Sequence, residues 1–264
     1  MSDFIYPAYR QLLESNHLAS FDQLWSYQAE WFEEPNNRRG GWSGAGRVVL
    51  RLPDGGEAGV FLKRQENHQR PTLRHPLRGE PTFAREFRML RFLQSRGVPA
   101  PVPVFFGQRA ARAILVSEEL AGFRSLEDVT EDLFADDKRP PLSEQRALLR
   151  GVAAMVRKMH DAGIHHRSLY PKHLFVNRKA AGDPLVAVID LEKSRATLLA
   201  TPRTIYDLAT LNRHARAWSK TARMYFFKHY LGIERLSPWH KLLCRLILKR
   251  SQRPKQYNSR SPNQ

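Results

Sequence analysis

MHDAGIHHRSLYPKHLFVN, residues 159–177, is the stretch that decides the fold of this chain. In the residues that lead into this stretch, and at its first residue, apolar side chains recur at helical spacing. They are Leu148, Val152, Met155, Val156 and Met159. That spacing predicts an amphipathic helix over Ser143–Ala162, which Gly163 ends. The apolar run at 174–176 predicts a short buried strand. A polar loop, His166-Arg167-Ser168, therefore lies between a helix and a strand, and His166 is expected to fix the loop backbone rather than to carry a proton.

A second polar position follows directly after an apolar strand. Residues 185–189 read LVAVI and predict a buried strand, and Asp190 comes next. A carboxylate at the end of such a strand does not belong to its core. Carboxylate oxygen is the ligand type that a hard cation bridging phosphates prefers. We therefore predict that Asp190 binds magnesium.

A glycine-rich run, GGWSGAGR at residues 40–47, precedes a predicted hairpin with strands at Arg47–Leu52 and Gly59–Lys63. Glycine lets backbone N–H groups approach phosphate oxygens closely, so Gly41, Gly44 and Gly46 are candidate cofactor-binding residues. By itself, such a run more often only leads into a hairpin.

Lys63 and Glu86 are a candidate ion pair. Lys63 ends the second predicted strand, where it is either an ordinary edge residue or a ligand of nucleotide phosphates. Glu86 falls in a predicted helix over Thr82–Ser95, at the border of its apolar face. A buried carboxylate needs a partner, and Lys63 is the obvious one. For an isolated glutamate, an exposed position would be the better interpretation.

The order of the elements predicts the fold class. The predicted strands, which include Pro101–Phe106 and Ala113–Ser117, come first, and the helices come later. This order favours an α+β fold with a β-rich small lobe and a helical large lobe. We predict four segments: an N-terminal extension at 1–37, an N-lobe at 38–120, a C-lobe at 121–248, and a basic, disordered tail at 249–264.

Charge is unevenly distributed along the 264 residues, whose formal net charge is +17. From residue 211 to the end there are 13 Lys and Arg and the single acid Glu234, a net charge of +12. The excess indicates an anionic partner or a solvated basic surface. Cys244 is the only cysteine, which excludes a disulfide framework and fits a reducing compartment. The sequence begins without a secretory signal pattern, and a soluble, cytoplasmic protein is expected.

The motifs together resemble a known family. GGWSGAGR, Lys63, TFAREF at 82–87, HDAGIHHRSLYPKHLFVN, VIDLEK at 188–193 and YDL at 206–208 are similar to the bacterial lipopolysaccharide kinase family, the Kdo/WaaP group, and to its InaA-like branch. The resemblance covers about residues 38–245. It implies a two-lobed protein-kinase-like fold and phosphorylation of a sugar of the lipopolysaccharide inner core, with ATP and Mg²⁺ as cofactors. The expected location is the cytoplasmic face of the inner membrane of a Gram-negative bacterium.

The resemblance also implies roles for individual residues. Lys63 and Glu86 grip the phosphates, Asp190 binds the metal, and Asp207 braces the catalytic loop. His166, Arg167 and Ser168 occupy the catalytic positions, and His173 the position of a second metal ligand.

Ser168 departs from the kinase pattern, because it stands where the catalytic aspartate is expected. A serine hydroxyl cannot act as a base near neutral pH. Phosphoryl transfer needs little base assistance, however, so nucleotide binding is still expected. The sequence leaves open an active kinase and a pseudokinase that binds nucleotide or glycolipid without turnover. Specific nucleic-acid binding is not expected, because no helix-turn-helix, zinc or RNA-reading motif accompanies the charge.

The C-terminal region interleaves aromatic and apolar residues with Lys and Arg. This pattern suits a peripheral contact with an anionic membrane surface that carries the core glycolipid. It equally suits helices that bury their apolar side, and for residues 218–232 this second interpretation is favoured. A basic loop at 64–81 could reach over the cleft to acceptor phosphates or could simply be solvated.

Overall fold

The structure is a computed structural model that describes residues 3–32, 35–38, 40–70, 79–135, 140–178 and 183–252. The strands in these residues are β1 (Phe4–Ile5), β2 (Asn36–Arg38), β3 (Gly41–Arg51), β4 (Glu57–Glu66), β5 (Gln69–Arg70), β6 (Glu80–Pro81), β7 (Pro103–Arg109), β8 (Arg112–Glu118), β9 (Arg124–Ser125), β10 (Ile164–His165), β11 (Leu174–Asn177), β12 (Leu185–Val188) and β13 (Arg195–Ala196). The α-helices are α1 (Arg10–Ser15), α2 (Phe21–Ser26), α3 (Thr82–Ser95), α4 (Leu126–Ala135), α5 (Leu142–Asp161), α6 (Ala200–His214), α7 (Lys220–Leu231) and α8 (Pro238–Ser251).

One antiparallel sheet of six strands, ordered β1-β7-β8-β4-β3-β2, organises the N-terminal half. Successive side chains of a strand point to opposite faces. On β8, Ile114 and Val116 therefore join a core with α1 and α2, whereas Leu115 faces α3 and the main core. The N-terminal segment thus covers one face of the sheet and α3 covers the other.

Gln65 of β4 fixes the start of α3. The first N–H groups of a helix have no partner within the helix. Here the Gln65 Oε1 accepts hydrogen bonds from the Phe83 N–H and the Thr82 hydroxyl, both at 2.9 Å. Gly97, with φ +62°, ends the helix, because the next N–H folds back to the Leu93 carbonyl at 3.0 Å. The predicted bounds Thr82–Ser95 are confirmed.

The C-terminal half is built around α5. The predicted helix, Ser143–Ala162, is observed as Leu142–Asp161. Its predicted apolar face is buried at Leu148, Val152, Met155, Val156 and Met159. Strands β11 and β12 pair antiparallel beside it, and α6, α7 and α8 follow. The predicted arrangement of a β-rich first part and a helical second part is confirmed.

Strand β3 begins earlier than predicted. We expected Arg47–Leu52, and the strand is Gly41–Arg51, paired residue by residue with β4 from Trp42 opposite Glu66 to Arg51 opposite Glu57. A continuous ladder with a long partner strand outweighs the weak strand preference of glycine. The predicted loop at 64–81 accordingly begins as strand, and its residues 71–78 lie outside the described residues.

The proposed segment boundaries remain predictions. Helix α8 ends at Ser251, inside the segment predicted as a tail, and residues 253–264 lie outside the described residues. Within the described ranges, the structure contains no helix that is both long enough and apolar enough to cross a membrane.

Candidate functional site

Asp207, fully buried on α6, anchors the loop after α5. Its carboxylate accepts hydrogen bonds from the N–H groups of His166 and Arg167, both at 2.8 Å. The Nε2 of His160, in the last turn of α5, lies 3.2 Å from the same carboxylate. Although burial opposes ionisation, these partners hold the pKa of Asp207 below its usual value. One carboxylate therefore joins α5, α6 and the loop.

The loop histidines are held neutral. His166 is buried, its Nε2 donates to the Ile189 carbonyl at 3.0 Å, and its Nδ1 accepts from the Ser168 N–H at 3.2 Å. Burial lowers the pKa of His166 and lowers the pKa of His165 to about 4. With both ring nitrogens of His166 engaged in backbone contacts, its geometry suits a structural role rather than proton transfer.

Ser168 lies within the loop rather than open to the cleft, with 2% of its surface exposed. Its carbonyl accepts hydrogen bonds from the Tyr170 N–H and the His173 Nδ1, both at 2.8 Å. The preceding residue, Arg167, has φ +68°, a left-handed conformation that is costly for a residue with a side chain. Such strain persists only where the surroundings enforce it, and here Asp207 does so.

Asp190 follows β12 and also has a left-handed backbone, with φ 58° and ψ 61°. The His173 Nδ1 lies 3.3 Å from the Asp190 Oδ2. Burial lowers the pKa of His173, so its ring is neutral and Nδ1 carries the proton that reaches the Ser168 carbonyl. A metal contact of His173 would therefore have to use Nε2.

These donors fit a magnesium ion that is bound together with phosphates. Mg²⁺ in nucleotide sites is usually held by one or two carboxylates, with phosphate oxygens and water completing the octahedron. Asp190 offers one partly exposed carboxylate. No group of three or more His, Cys, Asp or Glu side chains in the described part of the chain could hold a metal by itself. Magnesium binding would thus depend on the nucleotide.

Lys63 of β4 and Glu86 of α3 form an ion pair, with 2.6 Å between Lys63 Nζ and Glu86 Oε1; Glu86 is buried, and the Lys63 side chain is 24% exposed. On β4, Lys63 lies on the same face as Gln65, which holds the start of α3, and Glu86 lies one turn into that helix. Burial by itself lowers the pKa of Lys63, but Glu86, with Asp190 and Glu192 adding to it, raises that pKa by more. The ammonium therefore stays charged where it meets these carboxylates.

The glycines of β3 have a packing role. A Cβ atom on Gly44 would lie 2.5 Å from the Trp31 ring, and one on Gly46 would lie 2.7 Å from the Glu30 carbonyl. Both positions pair with residues of β4 whose side chains point away from Lys63. The glycines thus admit the N-terminal segment to the far face of the sheet. Phosphate binding by Gly41, Gly44 and Gly46 remains a prediction.

Two features of the site were missed by the sequence analysis. Ser194 is fully buried, its Oγ donates to the His166 carbonyl at 3.2 Å, and its carbonyl accepts from Arg85 Nε at 3.1 Å. It thereby ties the catalytic loop to α3. No sequence signal marks this serine.

The second missed feature is a cluster of cations around the loop, formed by Arg167, Lys172, Lys193 and Arg195. Antiparallel pairing sets Arg195 opposite His165, and the charges of Arg195 and Arg167 contribute to lowering its pKa. Lys172 and Lys193 act in the same way on His173. Among the described residues, none of these four cations forms an ion pair with a carboxylate. These four side chains therefore leave cationic groups without ion-pair partners beside the loop.

The C-terminal aromatic residues divide into two groups. Trp218, Phe226, Phe227 and Tyr230 are buried in the main core, as favoured for residues 218–232. On α8, Leu243 and Ile247 are buried, whereas Trp239, Leu242 and Leu246 are exposed.

Comparison with known proteins agrees with this geometry. The profile of the lipopolysaccharide kinase (Kdo/WaaP) family matches residues 22–230. Protein InaA of Escherichia coli K12 is 32% identical over 201 residues, which cover 74% of this chain and 87% of InaA. The lipopolysaccharide core heptose(I) kinase WaaP of Pseudomonas aeruginosa is 34% identical over 126 residues, 45% of this chain and 46% of that protein.

The fold is also that of a solved kinase-like structure. The structure described as WaaP in complex with acyl carrier protein matches with a TM-score of 0.67 at 24% identity, covering 95% of this chain and 98% of that one. The predicted two-lobed protein-kinase-like fold is confirmed. Both the motifs and these matches support a lipopolysaccharide kinase-like role, and nucleotide use is implied by the family. The chain belongs to the lipopolysaccharide kinase (Kdo/WaaP) family and, with InaA as a relative over most of its length, to the InaA-like branch.

Proposed function

We propose that this protein transfers a phosphoryl group from ATP, with Mg²⁺, to a hydroxyl of a sugar in the lipopolysaccharide inner core at the cytoplasmic face of the inner membrane. The observation that carries the proposal is the Lys63–Glu86 pair. Its 2.6 Å contact holds a charged ammonium in a cleft where Asp190 is close enough to raise the lysine pKa further. A fixed cation and a carboxylate aimed at the same space suit a triphosphate with its metal.

Each candidate site residue has a role in this proposal. Lys63 binds the phosphate oxygens, and Glu86 fixes the position of the ammonium. Asp190, which lies beside His173, would hold Mg²⁺, and the Nε2 of His173 is the ring nitrogen left for a second ion. The bound nucleotide and metal supply the transferable group and neutralise its developing charge. Asp207 keeps His166, Arg167 and Ser168 in one conformation beside them.

The acceptor side supports an anionic acceptor. The four cations of the loop, Arg167, Lys172, Lys193 and Arg195, have no carboxylate partner among the described residues. A core glycolipid that carries phosphate or carboxylate groups provides the missing charges. Three relatives are named as heptose(I) kinases of the lipopolysaccharide core, and the proposed acceptor belongs to the same class.

A second candidate is a pseudokinase that binds nucleotide or glycolipid without turnover. The observation in its favour is Ser168, which is 2% exposed and replaces the expected catalytic carboxylate. Loose phosphoryl transfer depends mainly on positioning and charge, so the missing base slows the reaction without abolishing it.

Turnover separates the two candidates. The purified protein is incubated with ATP, Mg²⁺ and purified core glycolipid, and phosphate transfer to the glycolipid is measured by mass spectrometry. We expect transfer that is lost on chelation of Mg²⁺ and that falls at least about 1,000-fold in Asp190→Ala. Asp183→Ala, which removes an exposed carboxylate from a surface ion pair, is the matched control. Nucleotide binding without any Asp190-dependent transfer would establish the pseudokinase.

Substitutions of Ser168 test whether the absence of a general base limits the rate of phosphoryl transfer. Ser168→Asp restores a carboxylate, whereas Ser168→Asn has the same size without a base. We expect a gain of about tenfold to a hundredfold in kcat for the aspartate alone. An equal rate in the native protein and both variants would show that another group positions the acceptor hydroxyl.

A further inference from the structure

Helix α8 presents an apolar stripe on its outer side. Trp239, Leu242 and Leu246 follow the i, i+3, i+7 spacing that places side chains on one face. Their exposed fractions are 52%, 44% and 37%. Large apolar side chains grouped in this way on an outer surface indicate a surface that another body covers.

The same outer side is strongly basic. Lys241, Arg245 and Lys249 recur every four residues and are exposed beside the apolar stripe. From 235 to 252 the sequence contains five Lys and Arg and no Asp or Glu. The remaining residues, 253–264, add three cations and no acid. The partner that complements this surface is therefore negatively charged and offers an apolar layer.

The helix is fixed to the body of the protein. Leu243 and Ile247 are buried in the main core on its inner side. Ser237 caps its first turn by accepting from the His240 N–H at 3.3 Å, and Pro238 follows at the first position. At the other end, Arg213 donates to the carbonyls of Arg250 and Ser251, both at 2.8 Å. The outer stripe is therefore a rigid surface rather than a loose end.

A chain of contacts connects α8 to the catalytic loop. The Arg250 guanidinium stacks 4.2 Å from the centre of the Tyr206 ring. Tyr206 in turn lies edge-on to the His165 ring, with 5.0 Å between ring centres. His165 directly precedes the loop that Asp207 holds. Since a 14-residue helix is about 21 Å long, the whole outer stripe lies within that distance of the helix end next to the loop.

We infer that the outer side of α8 docks on an anionic lipid bilayer and thereby sets the acceptor end of the cleft close to the membrane surface. The inference deepens the proposed function by naming the element that makes the membrane contact, but it does not require phosphoryl transfer. Apolar side chains enter the boundary between headgroups and acyl chains, and the flanking cations meet anionic headgroups. A second copy of the chain is disfavoured because two such basic surfaces repel each other.

Vesicle binding tests this inference. The full-length protein is mixed with phosphatidylcholine vesicles and with vesicles that also contain phosphatidylglycerol, and the bound fraction is measured by co-sedimentation. We expect binding to the anionic vesicles that weakens at high salt. Each of Lys241→Gln, Arg245→Gln and Lys249→Gln is expected to reduce partitioning about fivefold. Trp239→Ala is expected to reduce it about tenfold.

Three controls keep the result specific. Leu198→Ala removes a fully exposed leucine elsewhere, and Arg51→Gln removes an exposed cation from β3; both are expected to bind as the native protein does. Asp190→Ala is also expected to bind vesicles normally, so failure of the phosphotransfer proposal is separate from failure of membrane docking. Thermal unfolding of each variant verifies the fold.

Several outcomes overturn the inference. Vesicle binding that is equal in the native protein and the α8 variants would place the contact elsewhere. Equal binding to both vesicle types would remove the role of the cations. Tighter binding to duplex DNA than to anionic vesicles would identify a nucleic-acid surface instead. Dimerisation that Trp239→Ala abolishes, without vesicle binding, would identify a second copy as the partner.

Discussion

The two sides of the cleft differ in how their charges are matched. On the nucleotide side, the buried Glu86 lies 2.6 Å from the partly exposed ammonium of Lys63. On the acceptor side, four cations have no carboxylate partner among the described residues, and the carboxylate expected at position 168 is a serine with 2% exposure. The charges of the nucleotide side are paired without a ligand, whereas the four cations of the acceptor side are not paired with carboxylates.

On the acceptor side, the conformation of the loop and the identity of residue 168 are independent of each other. The loop is still held by Asp207 through two backbone N–H groups, so its conformation does not depend on residue 168. The loop thus has a fixed conformation, although residue 168 is a serine and cannot supply a general base. Under the proposed function, recognition of an anionic acceptor and positioning of its hydroxyl would be the main contributions of this side.

Asp207→Ala is expected to have the largest effect, because it acts on the acceptor side through the scaffold. The substitution leaves two buried N–H groups and the His160 ring without their acceptor. We expect the free energy of unfolding to fall by about 4 kcal/mol, measured by urea denaturation. Asp161→Ala, which breaks the exposed ion pair with Arg157, is the matched control and is expected to cost less than about 1 kcal/mol. Equal losses in the two variants would contradict the bracing role.

Lys63→Met tests the nucleotide side. It leaves the Glu86 carboxylate buried without its ammonium, and we expect a loss of about 3 kcal/mol in the free energy of unfolding. Nucleotide affinity, measured by calorimetry, is expected to fall at least about tenfold, because the phosphates lose a fixed cation. Lys158→Met replaces an exposed lysine on α5 and is expected to change neither quantity. Unchanged nucleotide affinity in Lys63→Met would mean that the ion pair is only structural.

Lowering the pH is expected to decrease the free energy of unfolding through protonation of His165, which precedes the loop. Burial lowers its pKa from the ordinary 6.5 to about 4, so between these values the unfolded chain binds a proton that the folded protein excludes. Stability is therefore lost as the pH falls through this window. From pH 7 to pH 5 this one residue contributes a loss of about 2 kcal/mol in the free energy of unfolding. His166 and His173, whose pKa values burial also lowers, add losses of the same sign.

The contribution of His165 is isolated by His165→Asn. The variant is expected to have a flatter dependence of unfolding free energy on pH between 7 and 5, with the difference close to the loss stated above. Parallel curves for the native protein and the variant would show that His165 titrates in the folded state much as it does in the unfolded chain.

Local patterns predicted the elements better than the contacts between them. The apolar periodicity of α3 and the stop at Gly97 gave its bounds, because both signals lie within the helix and its next turn. The start of β3 was wrong, because pairing with β4 and packing of the N-terminal segment decide it, and neither is local. Gln65 and Ser194 had no signal for the same reason. Each acts on residues at least 17 positions away in the chain.

The candidate site could be predicted in kind but not in geometry. The order of Lys63, Glu86, the loop and Asp190 indicated kinase-like chemistry, which stays a prediction, and the expected contact of Lys63 with Glu86 is observed. The burial of Ser168, by contrast, depends on how the loop folds back on His173, which no spacing reveals. The same holds for α8, since the sequence did not show which of its apolar residues, such as the exposed Leu242 and the buried Leu243, face the core.

Gly44→Ala is expected to have the smallest effect. It tests whether Gly44 packs against the N-terminal segment or binds phosphate. The added Cβ would lie 2.5 Å from the Trp31 ring, on the face of the sheet opposite to Lys63. Trp31 is 39% exposed and can shift, so we expect a loss of only about 1 kcal/mol in the free energy of unfolding. Nucleotide affinity is expected to stay within about twofold, because the change lies on the far face.

A double-mutant cycle with Trp31→Leu makes this test specific. If the Trp31 ring is what the new Cβ meets, Gly44→Ala costs less in the Trp31→Leu background than in the native protein. Additive losses in the cycle, together with a drop of more than tenfold in nucleotide affinity for Gly44→Ala alone, would assign the glycine to phosphate binding. The nucleotide side would then extend from Lys63 onto β3. Coupling between residues 31 and 44 with unchanged affinity would instead assign Gly44 to the contact of the N-terminal segment with the sheet and exclude it from the nucleotide side.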